Sequence, residues 1–103
     1  MVPPGDNLEF SQSTYFARRL KDRKELAEEL VQLFKEAPQA GELICEGYWK
    51  RELHLADGLY GVVYSRRGQR VGLMYVFALP EEAALFERRS REVLMAYGPR
   101  RSS

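Results

Sequence analysis

Apolar residues recur with helical spacing in the first third of the chain. Those that set the spacing are Phe16, Leu20, Leu26, Leu30 and Phe34. The pattern predicts two helices, over residues 13–21 and 23–37, either separate or fused into one. Asp22 followed by Glu25 forms a D-x-x-E variant of the capping box, which favours a new helix start. Pro38 ends the second helix, because a proline disfavours helical geometry at the residue before it.

The middle of the chain changes to the shorter periodicity of β-strands. Strands are predicted near residues 43–46 and 48–55, after Gly41 opens the region. Successive side chains of a strand point to opposite faces, so Leu53 and Leu55 share one face and Glu52 and His54 share the other. This second strand is therefore predicted to be half exposed.

Two more strands are predicted within residues 57–80, joined as a hairpin. In the first of them, alternation places three side chains on one face, namely Tyr60, Val62 and Tyr64. Arg67-Gly68-Gln69 supplies the turn, since Gly68 readily takes the positive φ that a short hairpin demands. The run Val71 to Leu79 has apolar residues on both faces, which predicts a central strand covered on both sides.

A last helix is predicted from Pro80 to Tyr97. Proline suits the first position of a helix, and Glu81 and Glu82 lie where the helix dipole favours negative charge. Four residues share its apolar face, namely Ala83, Phe86, Val93 and Tyr97. Gly98-Pro99 is a strong stop signal.

These elements predict an α+β fold in which an N-terminal helical hairpin packs on a three- to four-stranded antiparallel sheet, with a C-terminal helix. With 103 residues, of which 45% are hydrophobic, we expect a single domain with one core. Residues 1–9 are predicted to be an N-terminal tail or an edge strand, and residues 98–103 a C-terminal tail.

Composition excludes several classes of function. The longest apolar run, VGLMYVFAL, is too short for a membrane-spanning helix, so we expect no membrane partner. The start of the chain does not resemble a signal peptide, which predicts a cytoplasmic protein. The single Cys45 and the single His54 offer no internal disulfide and no zinc set. No phosphate loop, nucleophile elbow or calcium loop is present, so no metal and no cofactor are expected.

The net charge of +1 hides an asymmetry between the two halves of the chain. Residues 1–59 contain 8 basic and 11 acidic residues, whereas residues 60–103 contain 8 basic and 4 acidic residues. All basic residues of the second half are arginines, whose planar fork matches phosphate and carboxylate. We expect these arginines to gather on one side of the sheet and to attract an anionic macromolecule.

The residues predicted to bind that macromolecule lie on three segments. They are Trp49, Lys50 and Arg51 on the exposed strand, Arg66, Arg67 and Arg70 around the hairpin turn, and Arg88 and Arg91 on the outer face of the last helix. Aromatic residues next to basic ones stack on bases while their neighbours bind phosphate. The alternative for Trp49 is that it packs the first helices on the sheet. His54 and Tyr64 are the candidate catalytic residues.

Several strings resemble the RelE superfamily of bacterial toxin components, which includes the HigB and ParE branches. APQAGELI resembles the passage from the second helix to the sheet, and GYWKRELHL resembles the family's first long strand. GLYGVVY is similar to the Gly-x-Tyr-Arg-Val-x-Tyr strand, RRGQRVGLMYVFALP to the hairpin and central strand, and EEAALFERRSRE to the closing helix. The likeness covers roughly residues 10–97.

The resemblance implies a small α+β domain, and many family members cleave mRNA on the ribosome without a metal. In those members, basic and tyrosine side chains activate the ribose 2′-hydroxyl and stabilise charge on the phosphate. The arginine of the family's Tyr-Arg-Val string is Gly61 here, and the lysine-rich stretch is reduced to Leu79-Pro80. Charge would then come from Arg51 and the hairpin arginines, with His54 as proton acceptor.

Three functions follow as hypotheses. The first is a RelE- or ParE-like toxin-type protein that binds an anionic macromolecule, either RNA on the ribosome or gyrase, and is paired with an antitoxin-like protein. The second is a metal-independent mRNA endoribonuclease that uses His54, Tyr64 and the arginines. The third is a homodimeric scaffold or phage-type regulator, in which the apolar face of the first helices forms the interface between subunits.

Overall fold

A computed structural model describes residues 8–38 and 40–99 of the chain. In this part of the chain, the elements follow one another as β1 (Glu9–Gln12), α1 (Thr14–Arg19), α2 (Lys24–Glu36), β2 (Glu42–Cys45), β3 (Tyr48–Leu55), β4 (Gly58–Arg67), β5 (Arg70–Leu79) and α3 (Ala83–Tyr97). The predicted α+β class is confirmed. Residues 1–7 of the predicted N-terminal tail and residues 100–103 of the predicted C-terminal tail lie outside the described residues.

The sheet has five strands in the order β1-β5-β4-β3-β2. β1 runs parallel to β5, and every other neighbouring pair is antiparallel. The prediction of three to four antiparallel strands was therefore wrong in number and in character. The difference comes from β1, which the sequence offered only as an alternative to a tail. Phe10 of β1 packs its ring edge-on against Phe34 of α2, with centroids 6.2 Å apart, so burial supports this fifth strand.

The two N-terminal helices are separate, but their starts differ from the prediction. Ser13 caps α1, because its hydroxyl accepts from the backbone N–H of Phe16 at 3.1 Å. α2 begins at Lys24 after Arg23, and no side chain caps it, so the predicted Asp22–Glu25 capping box is wrong. The guanidinium of Arg23 instead forms an ion pair with Asp57. A contact across the fold thus holds the helix start in place.

Each strand of the hairpin contributes side chains to two cores. On one face, Leu26, Leu30 and Phe34 of α2 pack against the sheet, in a cluster that includes Leu53, Leu55, Tyr60, Val62 and Tyr64. On the other face, α3 packs against Val63 and Phe77. The predicted alternation along β3 and β4 is confirmed, and β5 is covered on both sides as predicted. The strand at the centre of the sheet is β4 rather than β5.

The hairpin turn and the last helix agree only in part with the prediction. Gly68 has φ of +58°, which confirms the turn. α3 ends at Tyr97 as expected, and the N–H of Gly98 donates to the carbonyl of Leu94 at 2.8 Å. Pro80, however, lies in a turn, and the helix starts three residues later at Ala83. The backbone N–H of Glu82 donates to the carbonyl of Ala78, so the strand passes into the helix through a turn.

α3 crosses its face of the sheet from one end to the other. The ring of Phe86, near its start, covers Gly61 of β4, whereas Tyr97 at its end stacks on Tyr48 of β3. Because of this path, α3 covers some strand residues and leaves others accessible. No helix in the described ranges is both long enough and apolar enough to cross a membrane.

Candidate nucleic-acid interface at the hairpin end

The hairpin turn places three predicted arginines at one end of the sheet. Arg66 and Arg67 end β4, and Arg70 begins β5. Successive residues of a strand point to opposite faces, so Arg66 and Arg67 lie on different sides of the sheet. The guanidinium of Arg66 donates to the carbonyl of Pro38 on the α2 side. Arg67 lies against Gly47 on the α3 side, and the φ of +85° at Gly47 is a backbone conformation that favours glycine.

Aromatic residues lie beside these arginines at the start of β3. Tyr48 stacks on Tyr97 of α3, with ring centroids 4.7 Å apart and 16° between the planes. Tyr97 keeps 57% of its surface exposed, so a face or edge of this stack is accessible to a ligand. Trp49 points to the opposite side and packs partly against the α2 core, which agrees with the structural alternative for this residue.

Two concave surfaces flank Arg66, one on each side of the sheet. On the α2 side, a cavity of about 260 Å³ is lined by Trp49, Tyr64 and Arg66 together with Pro38, Ala40 and Gly68. On the α3 side, a cavity of about 540 Å³ is lined by Tyr48, Arg66, Arg67 and Tyr97 together with Glu46 and Gly47. We call the residues Tyr48, Trp49, Arg66, Arg67, Arg70 and Tyr97 the hairpin-end surface. Planar faces beside guanidinium groups suit stacking on a base and pairing with a phosphate.

The predicted cations of β3 do not belong to this surface. The guanidinium of Arg51 donates to the carbonyls of Leu33 and Ala37 at 3.4 and 3.2 Å, and it lies 5.0 Å from the ring centroid of Phe34. Burial lowers the pKa of Arg51 below its usual value, and the neighbouring Tyr64 opposes this. Arg51 therefore caps the end of α2. Lys50 points to the other face, with its Nζ 3.7 Å from a carboxylate oxygen of Glu42.

The two candidate catalytic residues are far apart. Tyr64 pairs with Trp49 in the sheet and faces α2, whereas His54 pairs with Leu59 and faces the α3 side. These positions are five steps apart along β3, from Trp49 to His54, which corresponds to about 17 Å. Tyr64 is also 1% exposed and donates its hydroxyl to the carbonyl of Ala40 at 2.9 Å. Burial raises its pKa, partly opposed by Arg51 and Arg66, which favours the neutral phenol.

Within residues 60–99, the arginines are divided between the hairpin and α3 rather than gathered on one side. Arg91 pairs with Glu87 at 3.5 Å, and Arg70 pairs with Glu9 at 3.7 Å, both exposed to solvent. Arg67 and Arg88 make no ion pair with any residue that the structure describes. Exposed pairs are weak, so Arg70 keeps most of its attraction for an anion. The hairpin-end surface is thus the positive region that also carries aromatic faces.

Arg89 of α3, which was not predicted from the sequence, also makes its contacts within the protein. Its guanidinium donates to Glu92 at 2.8 Å and lies 5.1 Å from the ring centroid of Tyr75. The hydrogen bond to Glu92 is the main cause that raises its pKa. Arg89 therefore braces α3 against β5 and is not a candidate for binding a ligand.

The resemblance would place an arginine at position 61, where this chain has a glycine that lies against Phe86. A Cβ at Gly61 would stand 2.7 Å from Cδ2 of Phe86, so the helix packs directly on the strand backbone. The sheet face where a charge would project is therefore occupied by α3. Sequence reasoning noted the glycine but gave no reason for it, because its partner lies 25 positions away along the chain.

Among residues 8–38 and 40–99, no group of three or more His, Cys, Asp or Glu side chains is placed to hold a metal ion. Cys45 is buried, and burial raises the pKa of its thiol, as expected for a small core residue.

The aromatic half of the hairpin-end surface was only partly foreseen from sequence. Tyr48 was not predicted as a binding residue, and Tyr97 was predicted only as part of an apolar face. The signal available in the sequence was that Tyr48 and Trp49 are successive strand residues, so that Tyr48 points to the face opposite Trp49. A scan of protein-family models found no match to this chain, and a search of curated proteins found no similar sequence. The resemblance to the RelE superfamily therefore stays a prediction.

Proposed function

We propose that the protein binds an anionic macromolecule, with single-stranded RNA as the best fit, through the hairpin-end surface. The observation that carries this proposal is the cavity in which Arg67 lies beside the stacked rings of Tyr48 and Tyr97. Base stacking on an aromatic side chain contributes about 1–3 kcal/mol per base and needs no particular sequence. An arginine next to the ring adds a phosphate contact to each stacked nucleotide.

Single-stranded RNA suits this surface better than a duplex does. In a duplex the bases are stacked on each other, so an accessible tyrosine ring gains nothing from them. In an unpaired strand, a base can leave its neighbour and stack on Tyr97 while the backbone passes Arg67. Arg70 at the start of β5 and Arg66, whose guanidinium also donates to the carbonyl of Pro38, extend the positive charge around the turn.

Binding without cleavage is the reading that the geometry favours. The endoribonuclease hypothesis needs His54 and Tyr64 to act on one phosphodiester, but they lie on opposite faces of the sheet. A general acid or base must come within hydrogen-bond reach of the reacting group. The homodimer hypothesis also loses its proposed interface, since Leu26, Leu30 and Phe34 of α2 are buried in the core of the same chain.

Fluorescence anisotropy with a labelled single-stranded oligouridine tests the proposal. We expect saturable binding, with Tyr97→Ala weakening it about tenfold, because a base loses its stacking partner. Arg67→Ala should weaken binding to a similar degree and lower the slope of log affinity against log salt by about 1. Arg18→Ala, an exposed arginine on α1, is the matched control and should leave affinity unchanged. Absence of binding at low salt, or wild-type affinity in both Tyr97→Ala and Arg67→Ala, would reject the proposal.

The toxin-type activity that the resemblance implies, against the ribosome or gyrase, is a further prediction. Inducible expression of the chain should slow growth, and a variant with Arg66, Arg67 and Arg70 all changed to Ala should lose that effect at equal protein level. If oligouridine binding holds but growth is unaffected, the binding proposal stands and the toxin prediction is wrong.

A further inference from the structure

Another large concave surface lies between α3 and the sheet, away from the hairpin turn. It is a groove of about 620 Å³, open to solvent along one side. The turn at Pro80 and the first half of α3 form one wall, with Ala83, Phe86 and Glu87. The sheet and the segment that leads into β2 form the rest, with Leu59 of β4, Leu79 of β5, Lys50, Arg51 and Glu52 of β3, and Ala40, Gly41 and Glu42. We call this surface the α3 groove.

The floor of the α3 groove is apolar and has no cover from the described residues. Leu59 and Leu79 are half buried and line the groove together with Phe86, and Leu79 packs on the core cluster that contains Phe86. Phe86 lies so close to Gly61 that α3 meets the sheet backbone at this point. Leu94 lies two helical turns beyond Glu87 on the same side of α3 and is 45% exposed, so it extends the apolar strip.

The rim of the groove is acidic. Glu42, Glu52 and Glu87 line it, and the basic residues among the described lining are Lys50 and Arg51. Arg51 lines the groove, but its guanidinium is turned to the other face of the sheet and donates to the carbonyls of Leu33 and Ala37, so it adds no charge to the rim. Lys50 is itself paired with Glu42. Glu52 makes no ion pair with a described residue, and Glu87 forms only an exposed, weak pair with Arg91 at 3.5 Å. The groove therefore keeps an excess of negative charge, which attracts cations.

We infer that the α3 groove is a docking site for a cationic amphipathic peptide segment of a partner protein. Its apolar side chains would cover Leu59, Leu79 and Phe86, while its lysines or arginines would face Glu52 and Glu87. An amphipathic segment in an apolar groove with complementary charge at the rim is a recurrent mode of peptide recognition. The same carboxylates repel nucleic acid, so this site does not duplicate the hairpin-end surface. The inference does not depend on the proposed function.

Three labelled peptides of equal length test the inference with the full chain. The first has leucines at helical spacing and lysine elsewhere, the second keeps the leucines with glutamate elsewhere, and the third keeps the lysines with serine in place of leucine. We expect saturable anisotropy only with the leucine–lysine peptide. The other two should bind at least about tenfold more weakly, because each lacks either the charge or the apolar contact.

Variants locate the binding in the groove. Glu52→Lys combined with Glu87→Lys should weaken the leucine–lysine peptide about tenfold or more, since like charges then face each other. Ala83→Trp should block the groove, and because Ala83 is exposed the fold should be kept, as checked by circular dichroism. Arg67→Ala, at the other end of the molecule, should leave peptide affinity unchanged.

Several outcomes would overturn the inference. They are equal affinity for all three peptides, no binding of the leucine–lysine peptide, and unchanged affinity in folded Ala83→Trp protein. A dimer in light scattering that dissociates on Glu52→Lys would overturn it too, because the occupant would then be a second copy. RNA affinity of Ala83→Trp, which changes no charge, should stay at the wild-type value, and this separates the test from that of the hairpin-end surface.

Discussion

The hairpin-end surface and the α3 groove lie on one sheet but carry opposite charge. The first combines stacked tyrosines with Arg66, Arg67 and Arg70, and the second combines an apolar floor with Glu52 and Glu87. Their difference arises from where α3 runs. At the hairpin end the helix reaches the sheet through an aromatic stack that stays accessible, whereas near its start it leaves strand ends uncovered. A net charge of +1 therefore conceals two regions suited to different partners.

The largest expected effect comes from breaking the contact that creates the groove. Gly61→Arg introduces the residue that the resemblance would place there, but its Cβ would meet the ring of Phe86 at 2.7 Å. We expect a loss of about 3 kcal/mol in the free energy of unfolding, because α3 must move away from the sheet. Urea denaturation followed by circular dichroism measures this change.

Gly72→Ala is the matched control for this prediction. Its Cβ would stand 2.6 Å from the hydroxyl oxygen of Ser65, which can rotate away, so the cost should be smaller. If Gly61→Arg were as stable as the wild type, α3 would not be fixed on β4. The groove would then not be a preformed site.

A smaller loss of stability is expected on changing Arg51, and the same variant tests whether this arginine contributes to RNA binding. Arg51→Ala removes two hydrogen bonds to the carbonyls that end α2 and the contact with the ring of Phe34. We expect a loss of about 2 kcal/mol in the free energy of unfolding, since the carbonyls lose their partners in a half-buried place. Oligouridine affinity of the folded variant should be unchanged. A large loss of affinity with little loss of stability would instead make Arg51 a ligand contact.

The smallest predicted effect concerns Tyr64, which separates a structural role from a catalytic one. Tyr64→Phe removes the hydrogen bond to the carbonyl of Ala40 and should cost about 1 kcal/mol at neutral pH. The endoribonuclease hypothesis predicts, in contrast, that this variant loses all cleavage of mRNA on translating ribosomes. Urea denaturation and mapping of mRNA ends on the same protein distinguish the two.

The pH dependence of stability gives a second readout for Tyr64. Its pKa is raised in the folded protein, so the neutral phenol is favoured there, while the unfolded chain ionises near pH 10. Its contribution is present below about pH 10 and is lost as pH rises through the folded pKa. The wild type should thus lose stability at alkaline pH more steeply than Tyr64→Phe. Parallel curves for the two proteins would contradict this assignment.

The sequence determined the elements whose signals are local. Period-two alternation in β3 and β4 correctly assigned Leu53, Leu55, Tyr60 and Val62 to one core, because side-chain direction in a strand follows from position alone. The hairpin turn at Gly68 and the end of α3 at Gly98 also follow from the conformational limits of neighbouring residues. The position of the arginines at the hairpin end follows in the same way from the predicted turn.

Only the tertiary structure decided how distant segments meet. It added β1 as a parallel edge strand, set Tyr97 on Tyr48, brought Phe86 onto Gly61 and turned Arg51 toward the carbonyls of α2. None of these pairings leaves a periodic trace, because each depends on packing between residues far apart in the chain. The order of the residues determines where charges and aromatic rings occur along the chain, and tertiary packing determines which of them share a surface.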